Sequence, residues 1–297
     1  MSDWEGKTRG GKFGYWFFIK TIQYLGINVA YTFLLFVVVY FIPFAPKATA
    51  ATWRYSRKIL NYGVLQSVAM LFKNYYRLGQ ILIDKIAIHS GMEKKYNFKF
   101  EHYTEFLDIL NSNQGVVMIG AHVGNWEIGT PFFSDYGKKI NIVMYDAEHQ
   151  KIKELLDKNS ADKNFKVILV NNDNLTHVFM ITEALNKNEY VCFQGDRYVN
   201  AEKLLTHSFM GKEASFPAGP FLLASRLKVP VVFYFAMREP NRTYRFCFTL
   251  ANNVTRTKEK RPEQLLLDQY VNTLEKIVSE YPAQWFNYYN FWAPTKS

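Results

Sequence analysis

Between Thr21 and Pro46 the chain carries no charged residue, and the centre of this stretch runs Leu34, Leu35, Phe36, Val37, Val38, Val39, Tyr40, Phe41 and Ile42. About 20 such residues at ~1.5 Å each span a bilayer core of about 30 Å. Residues 1–46 therefore read as an N-terminal membrane anchor built on one helix. Tyr15, Trp16, Phe17 and Phe18 precede the run at headgroup depth. Lys7, Arg9, Lys12 and Lys20 lie before it and Lys47, Arg54, Arg57 and Lys58 after it, so charge leaves the orientation open. Ala48-Thr49-Ala50 resembles a signal-peptide cleavage site, but the apolar run exceeds the ~7–15 residues of a signal core. Gln23, Asn28 and Thr32 soften the run, which keeps an interfacial or buried helix as the further alternative.

From residue 47 to 91 the texture is helical. Ile59, Leu60, Val64, Leu65, Val68, Leu71 and Phe72 recur at helical spacing, and Gly91 supplies a stop. Arg54, Arg57, Lys58, Lys73, Tyr75, Tyr76 and Arg77 share this segment, which reads either as a packed helix pair with a solvated basic face or as a lipid-contacting surface. Beyond it, short apolar runs at 115–120, 140–145, 165–170, 190–194, 230–237 and 244–250 alternate with helical stretches at 101–110, 152–158, 175–186, 221–227 and 263–280. That order predicts an α/β fold, a mixed sheet covered by helices, over one domain at 92–297.

The chemistry concentrates at Gly115-Val-Val-Met-Ile-Gly120-Ala-His122-Val-Gly124-Asn125-Trp-Glu127, where a buried strand ends just before a histidine and a helix is expected after it. Ligands of open α/β sheets bind where strands end. A carboxylate five positions after a histidine shares no face of a regular helix, so His122 and Glu127 meet only across a bend, which Gly120 and Gly124 allow. Such a contact would fix the imidazole tautomer and leave its other nitrogen to take a proton from a hydroxyl or amine.

The His122-x4-Glu127 spacing resembles the signature of glycerolipid-type acyltransferases, and the longer Gly-Ala-His-Val-Gly-Asn-Trp-Glu string resembles the late acyltransferases of bacterial lipid A biosynthesis. Phe193-Gln194-Gly195-Asp196-Arg197 is similar to a second block of that family, Phe216-Pro217-Ala218-Gly219-Pro220 to a third, and Tyr281-Pro282-Ala283-Gln284-Trp285-Phe286 to its carboxy-terminal block. The arginine common in the family after the next strand is missing from Val143-Met144-Tyr145-Asp146-Ala147-Glu148; Lys151 or Lys153 could stand in for it.

The resemblance implies an acyltransferase with His122 and Glu127 as the catalytic pair and Gly124, Asn125, Asp196, Arg197 and Gly219 as substrate contacts. It implies an acyl carrier protein or coenzyme A thioester as donor and a membrane lipid as acceptor, a lipid A precursor first and another polar lipid or a pigment-like molecule second. It also implies a bacterial inner (cytoplasmic) membrane location with the catalytic domain facing the cytoplasm. The helices of 47–91 could line an acyl groove. The net charge of +10 suits an acidic carrier protein and an anionic membrane surface.

Other classes fit less well. The basic residues are scattered, which argues against nucleic-acid binding. Zinc-type spacing and a glycine-rich nucleotide loop are missing, so neither metal nor cofactor is expected. The two cysteines, Cys192 and Cys247, sit in apolar runs that read as buried strands in a reducing compartment. Without Gly-x-Ser-x-Gly an ester hydrolase is disfavoured. A non-catalytic membrane scaffold remains the alternative outside enzymology.

Overall fold

A computed structural model of the chain describes residues 12–129, 136–145, 165–170, 175–198 and 203–292. The uncharged stretch forms the second half of a helical hairpin. Helix α1 covers Lys12–Leu25, Gly26 breaks it at φ +86°, and α2 follows over Ile27–Phe44. Among the described residues α2 alone is long and apolar enough to cross a membrane, with 18 residues. It buries one stripe, Ile27, Ala30, Leu34 and Val38, and exposes Leu35, Phe36, Val39, Tyr40 and Phe44. An apolar side turned away from the protein has no partner in water.

The helical pair expected next is α3, Pro46–Lys58, and α4, Val64–Ala87. The chain then passes through a kink in which Gly91, the expected stop, takes φ +80°.

Seven strands form one mixed sheet. In chain order β1 is Asn97–Glu101, β2 Val116–Gly120, β3 Ile140–Tyr145, β4 Phe165–Val170 and β5 Tyr190–Gln194. Strands β6, Leu204–Phe209, and β7, Lys212–Pro217, form a separate hairpin. The main sheet is completed by β8, Val231–Glu239, and β9, Thr243–Leu250, in the order β1-β9-β8-β2-β5-β3-β4. All pairings are parallel except β8 with β9.

Side chains alternate across the sheet, as strand periodicity requires. Val117, Ile119, Val191, Phe193, Phe233 and Phe235 pack on one face against α6 (Thr176–Asn186), α7 (Ala218–Leu227) and α8 (Pro262–Glu280). Val116, Met118, Tyr190, Val232 and Tyr234 pack on the other against α2, α4 and α5 (Tyr103–Asn111). The result is the expected mixed sheet with helices on both faces. The helix expected at 152–158, with Lys151 and Lys153, lies outside the described residues.

Two buried clusters tie α4 to the carboxy-terminal segment and to this sheet. Asn74 of α4 donates through Nδ2 to the carbonyls of Ala283 and Trp285, at 3.2 and 3.1 Å, and accepts from Tyr288. Asp84, fully buried, accepts from Arg238 Nε at 2.7 Å, Tyr244 at 2.6 Å, Tyr96 at 3.0 Å, and Tyr31 of α2. One carboxylate thus joins α2, α4 and strands β8 and β9.

Candidate active site

Strands β2 and β5 are parallel neighbours in a register that pairs Gly120 with Gln194. Two residues further along each, His122 and Asp196 leave the sheet side by side at its carboxyl edge, the edge where open α/β sheets bind ligands. The ends of both strands are pinned. Gly195 N–H donates to the Gly120 carbonyl at 2.9 Å, and the Tyr270 hydroxyl of α8 donates to the same oxygen at 2.9 Å.

The His122 side chain is 21% exposed, whereas that of Asp196 is 1% exposed. His122 Nδ1 lies 2.8 Å from Asp196 Oδ1, and the His122 backbone N–H donates to both carboxylate oxygens at 3.1 and 3.0 Å. Trp285 Nε1 donates to Oδ2 at 3.3 Å, and the Tyr289 hydroxyl to the Asp196 carbonyl at 3.0 Å. Burial alone would raise the Asp196 pKa. The imidazole, the hydrogen bonds from His122 and the Arg197 guanidinium outweigh it, so the carboxyl is held below its usual value. An ionised Asp196 makes Nδ1 the protonated nitrogen and turns Nε2 into the basic one.

The acid found on the imidazole is therefore Asp196, a correction to the Glu127 contact expected from spacing. The predicted bend exists, since Gly124 has φ +62°, a conformation that favours glycine, and a Cβ there would collide with the Ala236 carbonyl. It steers the chain elsewhere. Gly124 N–H donates to Gln284 O at 2.9 Å and Asn125 N–H to Ala236 O at 2.8 Å, which lays the segment along β8. A short 3₁₀ turn, Trp126–Gly129, follows in place of the expected α-helical start. Glu127 then forms an ion pair with Lys85 of α4, both side chains 26% exposed. Burial pulls the Lys85 ammonium down to about 8.

The remaining expected contacts separate. The N–H groups of Gly124 and Asn125 are engaged within the protein, so neither is left for an oxyanion. The Asn125 side chain is buried and its Nδ2 faces the Ile81 carbonyl at 3.5 Å. Arg197 donates through Nη2 to the Phe286 carbonyl, which bonds it to the same carboxy-terminal segment whose Phe286 N–H donates to His122 O at 2.9 Å. Gly219 sits in the first turn of α7 with open space around its Cα. In the chain, α7 follows the β6–β7 hairpin and leads into β8, which lies beside β2 in the sheet.

Sequence reasoning placed Trp285 only within the carboxy-terminal block and did not single out Tyr289, yet both hold Asp196 in place. Both cysteines lie in strands as expected, β5 and β9, and are free. Burial pushes each thiol up to about 12, so neither supplies a thiolate nucleophile near neutral pH.

The profile of the family described as bacterial lipid A biosynthesis acyltransferase matches residues 64–293. The chain belongs to that family. It is thereby an acyltransferase, and the match spans α4, the whole sheet and the aromatic segment that holds Asp196. No curated protein matches it. Among solved structures it is similar to the 1-acyl-sn-glycerophosphate (LPA) acyltransferase PlsC from Thermotoga maritima, at 12% identity and a TM-score of 0.37 over 87% of this chain and 99% of that one.

Proposed function

We propose that this acyltransferase moves a fatty acyl chain from a thioester, carried by acyl carrier protein or coenzyme A, to a lipid A precursor. The site proposed is the cytoplasmic face of a bacterial inner membrane. One observation carries the mechanism: His122 Nδ1 is held at 2.8 Å by a buried carboxylate while the ring remains 21% exposed. Nε2 is the proton acceptor. As the acceptor hydroxyl gives its proton to Nε2, its oxygen attacks the thioester carbonyl and forms the ester bond; the C–S bond then breaks and the leaving thiolate takes the proton from the imidazolium. Asp196 keeps the tautomer and stabilises the imidazolium. The tetrahedral oxyanion falls to the α7 amino terminus at Gly219 and to Arg197.

Support for membrane attachment comes from the exposed apolar side of α2, and support for an acidic carrier from the net charge of +10. Glu127 keeps the signature spacing but stands with Lys85, so its part in a dyad with His122 is the weaker reading. Full-length protein in detergent is incubated with acyl carrier and coenzyme A thioesters and candidate acceptors, phosphorylated glycolipids and other polar lipids, and products are read by mass spectrometry. An acylated glycolipid that disappears in His122→Ala supports the proposal. Release of free fatty acid alone, or unaltered transfer in His122→Ala, overturns it.

A further inference from the structure

The aromatic segment that holds Asp196 also lines a cavity. One face of α3 supplies Arg54, Tyr55 and Lys58 at helical spacing, and the tip of the β6–β7 hairpin supplies Lys212; together with Trp285 and Asn287 they line this cavity, of about 260 Å³. The three cations are exposed, and among the described residues no carboxylate lines the cavity. Arg54 and Lys58 stand four residues apart on one helix, an arrangement that is unfavourable without an anion between them.

Two residues of its lining carry buried polar atoms. Among the described residues the Tyr55 hydroxyl and the Asn287 side-chain oxygen have no hydrogen-bond partner, on residues only 5% and 7% exposed. A buried polar group left without a partner is destabilising unless something meets it. Burial raises the Tyr55 pKa, so the hydroxyl stays a donor. Rotation of the Asn287 amide exchanges its oxygen for an N–H₂ donor.

Two residues of this cavity also bond Asp196. Trp285 lines it and donates to the Asp196 carboxylate, and Tyr289 lines it and donates to the Asp196 carbonyl. Arg54 and Lys58 lie on α3, the helix that follows the apolar α2 after a break at Ala45.

We propose that the cavity between α3 and the β6–β7 hairpin is a phosphate-binding subsite, which seats a phosphate of one of the two acyl-transfer substrates beside the residues that position Asp196. This rests on the acyl-transfer reading for its use, but not for the binding itself. Two sources carry the group: the phosphorylated arm of the thioester donor, or the phosphate of a lipid acceptor.

Inorganic pyrophosphate is titrated into the full-length protein in non-ionic detergent, followed by calorimetry and by the fluorescence of Trp285 and Trp292. Wild type and His122→Ala are expected to bind alike, with Lys212→Gln and the Arg54→Gln/Lys58→Gln double variant weaker by roughly tenfold for each charge-assisted hydrogen bond removed. Because these side chains are exposed, the variants keep the fold, and Tyr55→Phe adds a charge-neutral check with a smaller loss. Saturable binding that is the same in all variants, or none in wild type, overturns the subsite. In turnover, Lys212→Gln raises KM for acyl-coenzyme A but not for a phosphate-free acyl thioester if the donor is the source. It raises KM for a phosphorylated but not a dephosphorylated acceptor if the lipid is. No change in either KM rejects the role in transfer. Pyrophosphate binding by a protein that transfers no acyl chain would reject the proposed reaction and leave the subsite standing.

Discussion

Asp84 and Asp196 are buried to the same degree, 0% and 1% exposed, yet they sit in opposite kinds of surroundings. Asp84 receives four side chains from four parts of the fold, an arginine and three tyrosines, and all four are themselves held by packing. Its charge is neutralised by Arg238, and nothing about it is left for a ligand. Asp196 receives a backbone N–H, an indole and an imidazole whose far nitrogen opens on a partly exposed edge of the sheet. The saturated carboxylate ties elements together, and the one joined to a half-open ring can pass a proton demand to solvent-accessible chemistry. Burial alone does not mark a functional acid; the unfinished partner does.

That contrast breaks most visibly if Asp196→Asn fails to lower kcat. The expected fall is about 10⁴-fold, on the scale of a lost tautomer-fixing carboxylate, while the unfolding temperature moves little. Asp84→Ala should do the reverse, with a loss of about 3–5 kcal/mol in denaturant unfolding, because Arg238 is left buried and unpaired. If Asp196→Asn proved as destabilising as Asp84→Ala, the two acids would be the same kind of residue. Tyr31→Phe removes one hydrogen bond to the Asp84 charge and should cost about 1.5–3 kcal/mol, measured in the same unfolding experiment. Glu127→Gln breaks a partly exposed pair with Lys85 and should cost under about 1 kcal/mol of stability. Its kcat should stay well above that of Asp196→Asn; a matching loss would return Glu127 to the dyad.

The smallest effect is in acid. The Asp196 carboxyl is depressed in the folded state, so its contribution is complete above the unfolded value of about 3.9 and is lost as pH falls through the lower folded value. Denaturant unfolding of wild type between pH 6 and pH 3 should therefore steepen below about 4, and Asp196→Asn should lack that component.

The apolar strands were legible because each is an apolar run, whether inside the sheet or, like β4, at its edge: 140–145, 165–170 and 190–194 coincide with β3, β4 and β5. Edge strand β1 escaped because Asn97-Phe-Lys-Phe-Glu101 is short, polar and almost wholly exposed. Hairpin β6–β7 also escaped, although Met210 and Gly211, at φ +53° and +76°, form a tight turn for which the Met-Gly pair is only a faint sign. The position of His122 could be read locally, since a strand visibly ends before it. Its partner could not. Asp196 is 74 residues away and reaches the imidazole only because β2 and β5 are neighbours in register, a matter of strand order that local spacing does not encode. Spacing favoured the nearer acid, and the backbone bonds of Gly124 and Asn125 to the carboxy-terminal segment and β8 carried that acid toward α4 instead.

The Tyr31 contact turns the apolar hairpin into a rigid mount. A leader joined through a slack linker would let the catalytic edge bob at any height over a lipid surface. Here α2 is bolted to the same carboxylate as α4, β8 and β9, so the depth at which its greasy side settles would dictate the altitude of His122 and how far an acceptor must rise to meet it.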